Sequence, residues 1–266
     1  MPVRNDFAAG EFCWIDLNAH DLEAAAAWYG KLFGWTHQVM PAHIEGAPPY
    51  AFFLQGEAVA AGVGQMSDEM KEMGIPPMWN AYVCTEDCEA TEAKVGELGG
   101  TVTVPTMDIP QHGKLAFFMD PGGASFAAWQ VTNPESPGLL VDDHGSLSWV
   151  ESMTRDKAQA QDFYSGLLGW EFSALEMPGM EHVDYSMIQA QGKDAGGMMV
   201  MEGPNFEGVP PHWLVYFAVD DCDATAREAE ASGGKILVPP MDIPVGKFSM
   251  MSDPQGGTFC VITLTQ

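Results

Sequence analysis

Val104-Pro105-Thr106-Met107-Asp108-Ile109-Pro110 returns later in the chain as Val238-Pro239-Pro240-Met241-Asp242-Ile243-Pro244. Only Thr106 against Pro240 differs. Working outward, the matches continue in one order. Gly99-Gly100 meets Gly233-Gly234, and Asp120-Pro121-Gly122-Gly123 meets Asp253-Pro254-Gln255-Gly256. Upstream, Leu32-Phe33-Gly34-Trp35 meets Leu167-Leu168-Gly169-Trp170, Tyr29 meets Tyr164, and Tyr50 meets Tyr185. Ordered self-similarity on this scale is the mark of a duplicated unit. The turn-rich stretch Thr132-Asn133-Pro134-Glu135-Ser136-Pro137-Gly138 falls between the copies, as a domain boundary should. The reading is therefore two domains, 8–131 and 144–266, joined by a linker at 132–143.

Each copy repeats one plan twice. Residues 11–17 are rich in β-formers. Leu22, Ala25, Tyr29 and Phe33 then recur every three to four residues, as one apolar face of a helix does. Asp21 can accept from the free N–H groups at that helix start, and Gly34 supplies a stop. Strands are predicted near 36–40, 50–54 and 58–66. The second half-unit runs from a strand at 79–85, through a helix at 86–98 ended by Gly99-Gly100, to strands near 101–104, 114–119 and 124–130. The order βαβββ, four times per chain, gives an α+β fold. Its single helix covers one sheet face, so two half-units pair into a curved half-barrel with a central cleft.

Composition bounds the function. The chain has 266 residues, 46% of them hydrophobic, enough for two ordinary cores. No run approaches the ~18 apolar residues of a membrane helix. The opening Met1-Pro2-Val3-Arg4-Asn5-Asp6 lacks the charged-then-apolar plan of a signal peptide, so a cytoplasmic location is expected. Thirty-seven acidic and 11 basic residues give a net charge of -26. That field repels nucleic-acid phosphates and anionic membranes, which leaves a small-molecule ligand as the expected partner. The five cysteines are odd in number and form no CxxC pair, so they read as small buried hydrophobes. No phosphate loop, nucleophile elbow or HExxH zinc motif is present.

The order of strand, Asp21-Leu22-Glu23, Ala-rich helix with Trp28-Tyr29, Leu32-Phe33-Gly34-Trp35 and later Phe118-Met119-Asp120-Pro121-Gly122-Gly123 resembles the vicinal oxygen chelate superfamily. That group includes glyoxalase I, bleomycin-resistance proteins and extradiol dioxygenases. The run at 238–256 is most similar to its tandem glyoxalase-like subgroup, some of whose members are called hydroxylases. The resemblance implies the half-barrel just described. It does not by itself fix an activity, because the fold hosts isomerases, dioxygenases and plain binders.

The resemblance also implies four metal ligands lining the cleft, mostly His and Glu, for Ni, Zn, Fe or Mn. Here the expected positions hold Trp14 and Trp149, Asn80 and Leu214, and Ala127 and Cys260. Residues 59–66 offer only Gln65, and 196–201 offer no carboxylate. No metal or other cofactor is therefore expected. A metal-dependent lyase or dioxygenase with non-standard ligands (His212, Glu151, Asp16) stands as the alternative. A structural or partner-binding module with closed clefts is a third reading.

In place of ligands, both copies carry matched indoles: Trp14 and Trp149, Trp79 and Trp213. These either stack a planar ligand or fill the cleft as core. Asp16 and Glu151 lie two residues beyond the first pair, on the same strand face. Each either acts as a base toward a bound hydroxyl or marks a solvated strand end. His212 is a shifted ligand or an ordinary hydrogen-bonded histidine. Met107 and Met241 are expected in loops over the sheet, offering a soft surface to an aromatic ligand. Lys114 and Lys247 are expected to pair with Asp108 and Asp242. Fusion of two copies supplies the pairing that related single domains obtain by dimerising, so a monomer with an internal pseudo-dimer is expected, with a homodimer as the other possibility.

Overall fold

A computed structural model describes residues 2–41 and 46–265. A two-residue strand β1 (Val3–Arg4) precedes the first copy. Its first half-unit is β2 (Phe12–Ala19), α1 (Leu22–Phe33), β3 (Thr36–Val39), β4 (Tyr50–Gln55) and β5 (Ala58–Gln65). A short helix α2 (Asp68–Glu72) leads to β6 (Met78–Cys84), α3 (Cys88–Glu97), β7 (Thr101–Ile109), β8 (Gly113–Met119) and β9 (Ser125–Val131). The linker contributes β10 (Leu139–Leu140). The second copy follows as β11 (Leu147–Thr154), α4 (Lys157–Leu168), β12 (Glu171–Ala174), β13 (Tyr185–Ala190), β14 (Lys193–Val200), β15 (His212–Ala218), α5 (Cys222–Ala231), β16 (Lys235–Ile243), β17 (Gly246–Ser252) and β18 (Thr258–Leu264).

The helices begin and end where local chemistry directs. Asp21, Asp87, Asp156 and Asp221 each accept a hydrogen bond from the backbone N–H three residues on. Gly34 and Gly169 end α1 and α4 in the left-handed conformation, at φ 76° and 69°.

Each copy folds its two half-units into one sheet. In the first, β5, β2, β6 and β9 are neighbours: β2 runs antiparallel to β6, with Asp16 opposite Asn80, and parallel to β5, with Asp16 beside Gly62. The second sheet repeats this with β14, β11, β15 and β18, Glu151 lying opposite Leu214. β10 is added to the first sheet alone. Leu139 pairs with Val59 of β5, and β1 pairs with β10, so linker and N-terminus form a strap across the first copy.

The two sheets pack back to back. One buried core spans both copies, with Trp79 against Phe217 at 4.9 Å between ring centroids and Phe12 against Trp213 at 5.3 Å. Two hydrogen-bond chains cross it. Trp79 donates to the Tyr29 hydroxyl, which donates to Asp253. Trp213 donates to Tyr164, which donates to Asp120. Each Asp of an Asp-Pro turn thus accepts from a tyrosine of the other copy. The concave faces therefore point outward, on opposite sides.

The Met-Asp-Ile-Pro runs depart from expectation. They are strand, not loop: Met107 pairs with Leu115 and Met241 with Phe248. β7 and β16 are sheet edges, and register shifts around Pro105 and Pro239 absorb the missing N–H groups.

Candidate functional site

The concave face of the first copy encloses a cavity of about 710 Å³. Its floor carries Trp14 and Asp16 from β2 and Tyr82 from β6, and its sides include Tyr50, Phe52 and Trp129. The strap closes part of the rim with Phe7, Pro137 and Leu139. The volume is of the size that holds a drug-like molecule, and the lining is mostly apolar with few convergent polar groups.

Asp16 is the hub of those polar groups and is only 5% exposed. Its Oδ1 accepts from Asn80 Nδ2 at 2.8 Å. Its Oδ2 accepts from the Tyr82 hydroxyl at 2.7 Å and the Tyr50 hydroxyl at 3.2 Å. Trp14 Nε1 in turn donates to the Tyr50 oxygen at 3.1 Å. Burial pushes the Asp16 carboxyl up, while the bonds from Asn80, Tyr82 and Tyr50 pull it back. Tyr50 reaches Asp16 only because residue 62 is glycine: a Cβ there would stand 1.9 Å from the Tyr50 oxygen.

The second copy builds the same core of contacts. Tyr216 donates to Glu151 at 3.0 Å, and Trp149 donates to Tyr185 at 3.0 Å. Gly197 makes room for Tyr185 as Gly62 does for Tyr50. The space above is nevertheless filled. Where the first copy has Asn18, Asn80 and Ala127, the second has Met153, Leu214 and Cys260. These three join Met201, Tyr216 and Ile262 in a buried apolar cluster. Phe206 and Val209 pack on it from the β14–β15 loop, whose carbonyls at those two residues accept from Arg155 Nη2 at 2.5 and 2.7 Å. Trp149, Tyr216, Ile243, Phe248 and Ile262, the counterparts of the first cavity's Trp14, Tyr82, Ile109, Leu115 and Trp129, pack into this same cluster together with the pinned loop.

The structure brings Trp14 and Asp16 together in the open cavity. It puts Trp149 and Glu151 at the matching place in the filled one. Neither carboxylate is a solvated strand end; Glu151 is only 7% exposed, and burial pushes its carboxyl up. Trp79 and Trp213 are not in either cleft. They face the opposite side of their strands, in the core between copies, with their N–H groups given to Tyr29 and Tyr164. His212 sits at the start of β15, its Nδ1 2.8 Å from the Pro210 carbonyl, with burial lowering its pKa. Met107 and Met241 lie on edge strands outside the open cavity's lining. Lys114 pairs with Glu89 rather than Asp108; Lys247 pairs with Asp223 at 2.8 Å and Asp242 at 3.8 Å. Helix residues reach these lysines better than strand neighbours, because α3 and α5 lie across β8 and β17.

Sequence reading missed Tyr82 and Tyr216. A signal was present: each lies two residues beyond Asn80 or Leu214, hence on the same strand face. The same parity rule separates Trp79 from Asn80, its immediate neighbour.

The donor set does not fit a resident divalent metal. Asp16 is surrounded by hydrogen donors, not by further ligands, and among the described residues no three His, Cys, Asp or Glu side chains come together. The alternative set of Asp16, Glu151 and His212 is divided between two outward-facing sheets.

A family model described as the Glyoxalase/Bleomycin resistance protein/Dioxygenase superfamily matches residues 12–127 and again 146–261. The chain belongs to this superfamily. Among curated relatives, CFP32 of Mycobacterium tuberculosis, which carries a provisional glyoxylase name, is 40% identical over 98% of both chains. The anthracycline biosynthesis protein DnrV of Streptomyces peucetius is 34% identical, over 98% of this chain and 95% of its own. Among solved structures, a Mn(II)-bound glyoxalase from Novosphingobium aromaticivorans superposes with a TM-score of 0.63. It has 16% identity and covers 96% of this chain and 82% of that one. The 2,3-dioxygenase LapB from Pseudomonas sp. KL28 gives 0.62 at 12% identity, over 97% and 94%. These superpositions establish the superfamily fold. No helix among the described residues is long and apolar enough to cross a membrane.

Proposed function

We propose that the first copy binds a planar apolar or aromatic small molecule, with a ligand hydroxyl or N–H directed to the Asp16–Tyr82–Tyr50 cluster. The observation that carries this reading is one buried carboxylate at the floor of a mostly apolar cavity of about 710 Å³. Aromatic walls favour flat ligands through burial and offset stacking. The three bonds to Asp16 leave room for one more donor on its two oxygens, and the Tyr82 oxygen can still accept. A relative named for anthracycline biosynthesis accords with a planar polycyclic ligand. The second copy, filled by its own side chains, supports the first through the shared core. The two packed copies suit a monomer in solution.

The test is quenching of tryptophan fluorescence by a panel of polycyclic phenols and their O-methyl ethers. Phenols should bind more tightly than their ethers, and Asp16→Asn should remove most of that difference, about tenfold for one hydrogen bond to a charged group. Trp14→Ala should weaken both sets. Equal affinity of Trp14→Ala and wild type for every member would sink the reading.

A catalytic version has Asp16 taking a proton from the bound ligand. It requires conversion of a bound phenol or ketone by the wild type, with Asp16→Asn binding that ligand and leaving it unchanged.

A further inference from the structure

Two of the five cysteines line the open cavity. Cys13 sits where the β2–β6 register shifts, and Cys84 ends β6 beside it. The Cys13 thiol points to the Tyr82 carbonyl at 3.7 Å, and Cys13 and Cys84 line the same cavity from paired strands. The Cys84 thiol points to the Phe7 carbonyl at 3.5 Å, under the strap. Cys13 is buried and Cys84 half-buried, so Cys84 is the more accessible.

The duplication serves as an internal control. The matching positions in the filled copy are Ser148 and Ala218, whereas Cys88 and Cys222, at the helix starts, are kept in both. The thiol pair therefore occurs with the cavity and not with the fold. A general packing role would call for the pair in both copies; a role toward a ligand calls for it in one.

We propose that Cys84, assisted by Cys13, is a covalent capture site for a planar electrophile in this cavity, of the α,β-unsaturated carbonyl class. The inference rests on the aromatic-ligand reading of the same cavity. The Cys84 sulfur forms a bond to the β-carbon, and the C=C π pair moves through the carbonyl. The proton lost from sulfur ends on the α-carbon. S–H has then added across C=C with no net oxidation, so no further reactant is needed. The thiolate is the attacking form. The Cys13 thiol lowers the Cys84 pKa, against burial and the negative charges of Glu11 and Glu86. Arg4, ion-paired to Glu11, offsets part of that charge. Cys13 is thus a positioning residue.

The probe is N-phenylmaleimide, added to the reduced full-length chain and followed by intact mass and peptide mapping. One adduct should form first, on Cys84, about tenfold faster than on any other cysteine. N-phenylsuccinimide, the saturated and unreactive analogue, should slow it. Cys13→Ala should move the pH–rate midpoint of Cys84 upward, and Cys13→Ser, which keeps a donor, should restore part of the shift. Labelling spread evenly over the five cysteines, or insensitive to the succinimide, overturns the proposal. Phenol binding by Cys84→Ser separates the two readings. If it persists while the wild type shows no selective labelling, only the thiol site falls. If selective labelling occurs without phenol binding, the aromatic-ligand reading falls instead.

Discussion

Tyr50 reaches Asp16 by passing over Gly62, where a Cβ would stand 1.9 Å from its hydroxyl oxygen and 3.0 Å from the Asp16 Cβ. Three strands meet in that contact: β4 supplies the ring, β5 the gap and β2 the carboxylate. Gly197 and Tyr185 repeat it in the second copy. The clashing atoms are the far end of a side chain, so Gly62→Ala should fold with Tyr50 swung away from Asp16. The expected outcome is loss of phenol selectivity in the fluorescence titration, with the far-UV spectrum unchanged. Retained selectivity would show that Tyr50 is not part of the binding cluster.

Asp16 gives a stability signal with a defined sign. Its carboxyl is raised by burial, so the folded chain holds that proton more tightly than the unfolded one. The stabilisation from protonation is fully present below the unfolded value near pH ~4, and is lost as pH rises through the raised folded value. Asp16→Asn does not titrate. The wild type should therefore lose stability relative to this variant as pH climbs from about 4. Paired urea unfolding across that range measures the difference and cancels the background of the other carboxylates. A gap that is flat, or that widens in favour of the wild type, would refute the burial argument.

Tyr29 and Tyr164 link the copies. Tyr29→Phe deprives buried Trp79 of its acceptor and Asp253 of one donor. A cost of about 1–3 kcal/mol is expected, read as a thermal midpoint lower by several degrees. Tyr164→Phe should behave alike through Trp213 and Asp120. Midpoints unchanged in both would remove these bonds from the account of how the copies cohere.

Arg155 pins the loop that closes the second cleft. Arg155→Met should leave the sheet intact and speed hydrogen exchange at 202–211. The amides of β11 and β15 should stay protected, because their ladder does not involve the loop. Uniform change across the whole copy would mean that Arg155 stabilises the domain rather than the loop.

The site was half legible before folding. Trp14 and Asp16 stood out because they recur with Trp149 and Glu151 at one spacing on one strand face. Tyr82 follows from the same parity, two residues beyond Asn80 on one strand face. Trp79 misleads, because an indole repeated in both copies looks functional, yet it faces the core between them. Gly62 carried no signal, because a glycine in a strand states neither which ring will cross it nor from which strand.

The sequence by itself determined the duplication, the βαβββ order, the helix boundaries set by Asp caps and Gly stops, and the absence of the superfamily's usual ligand types. All of these depend on neighbours in the chain or on comparison between copies, so they hold before any strand has paired. Only the tertiary structure decided that one cleft is open and the other filled. That outcome depends on long-range placement. The linker and N-terminus strap the first copy alone, while Met153, Leu214, Cys260 and the loop carrying Phe206 converge from separate strands to fill the second. Side-chain volume is written in the sequence, but the shared space it competes for exists only once the strands have paired.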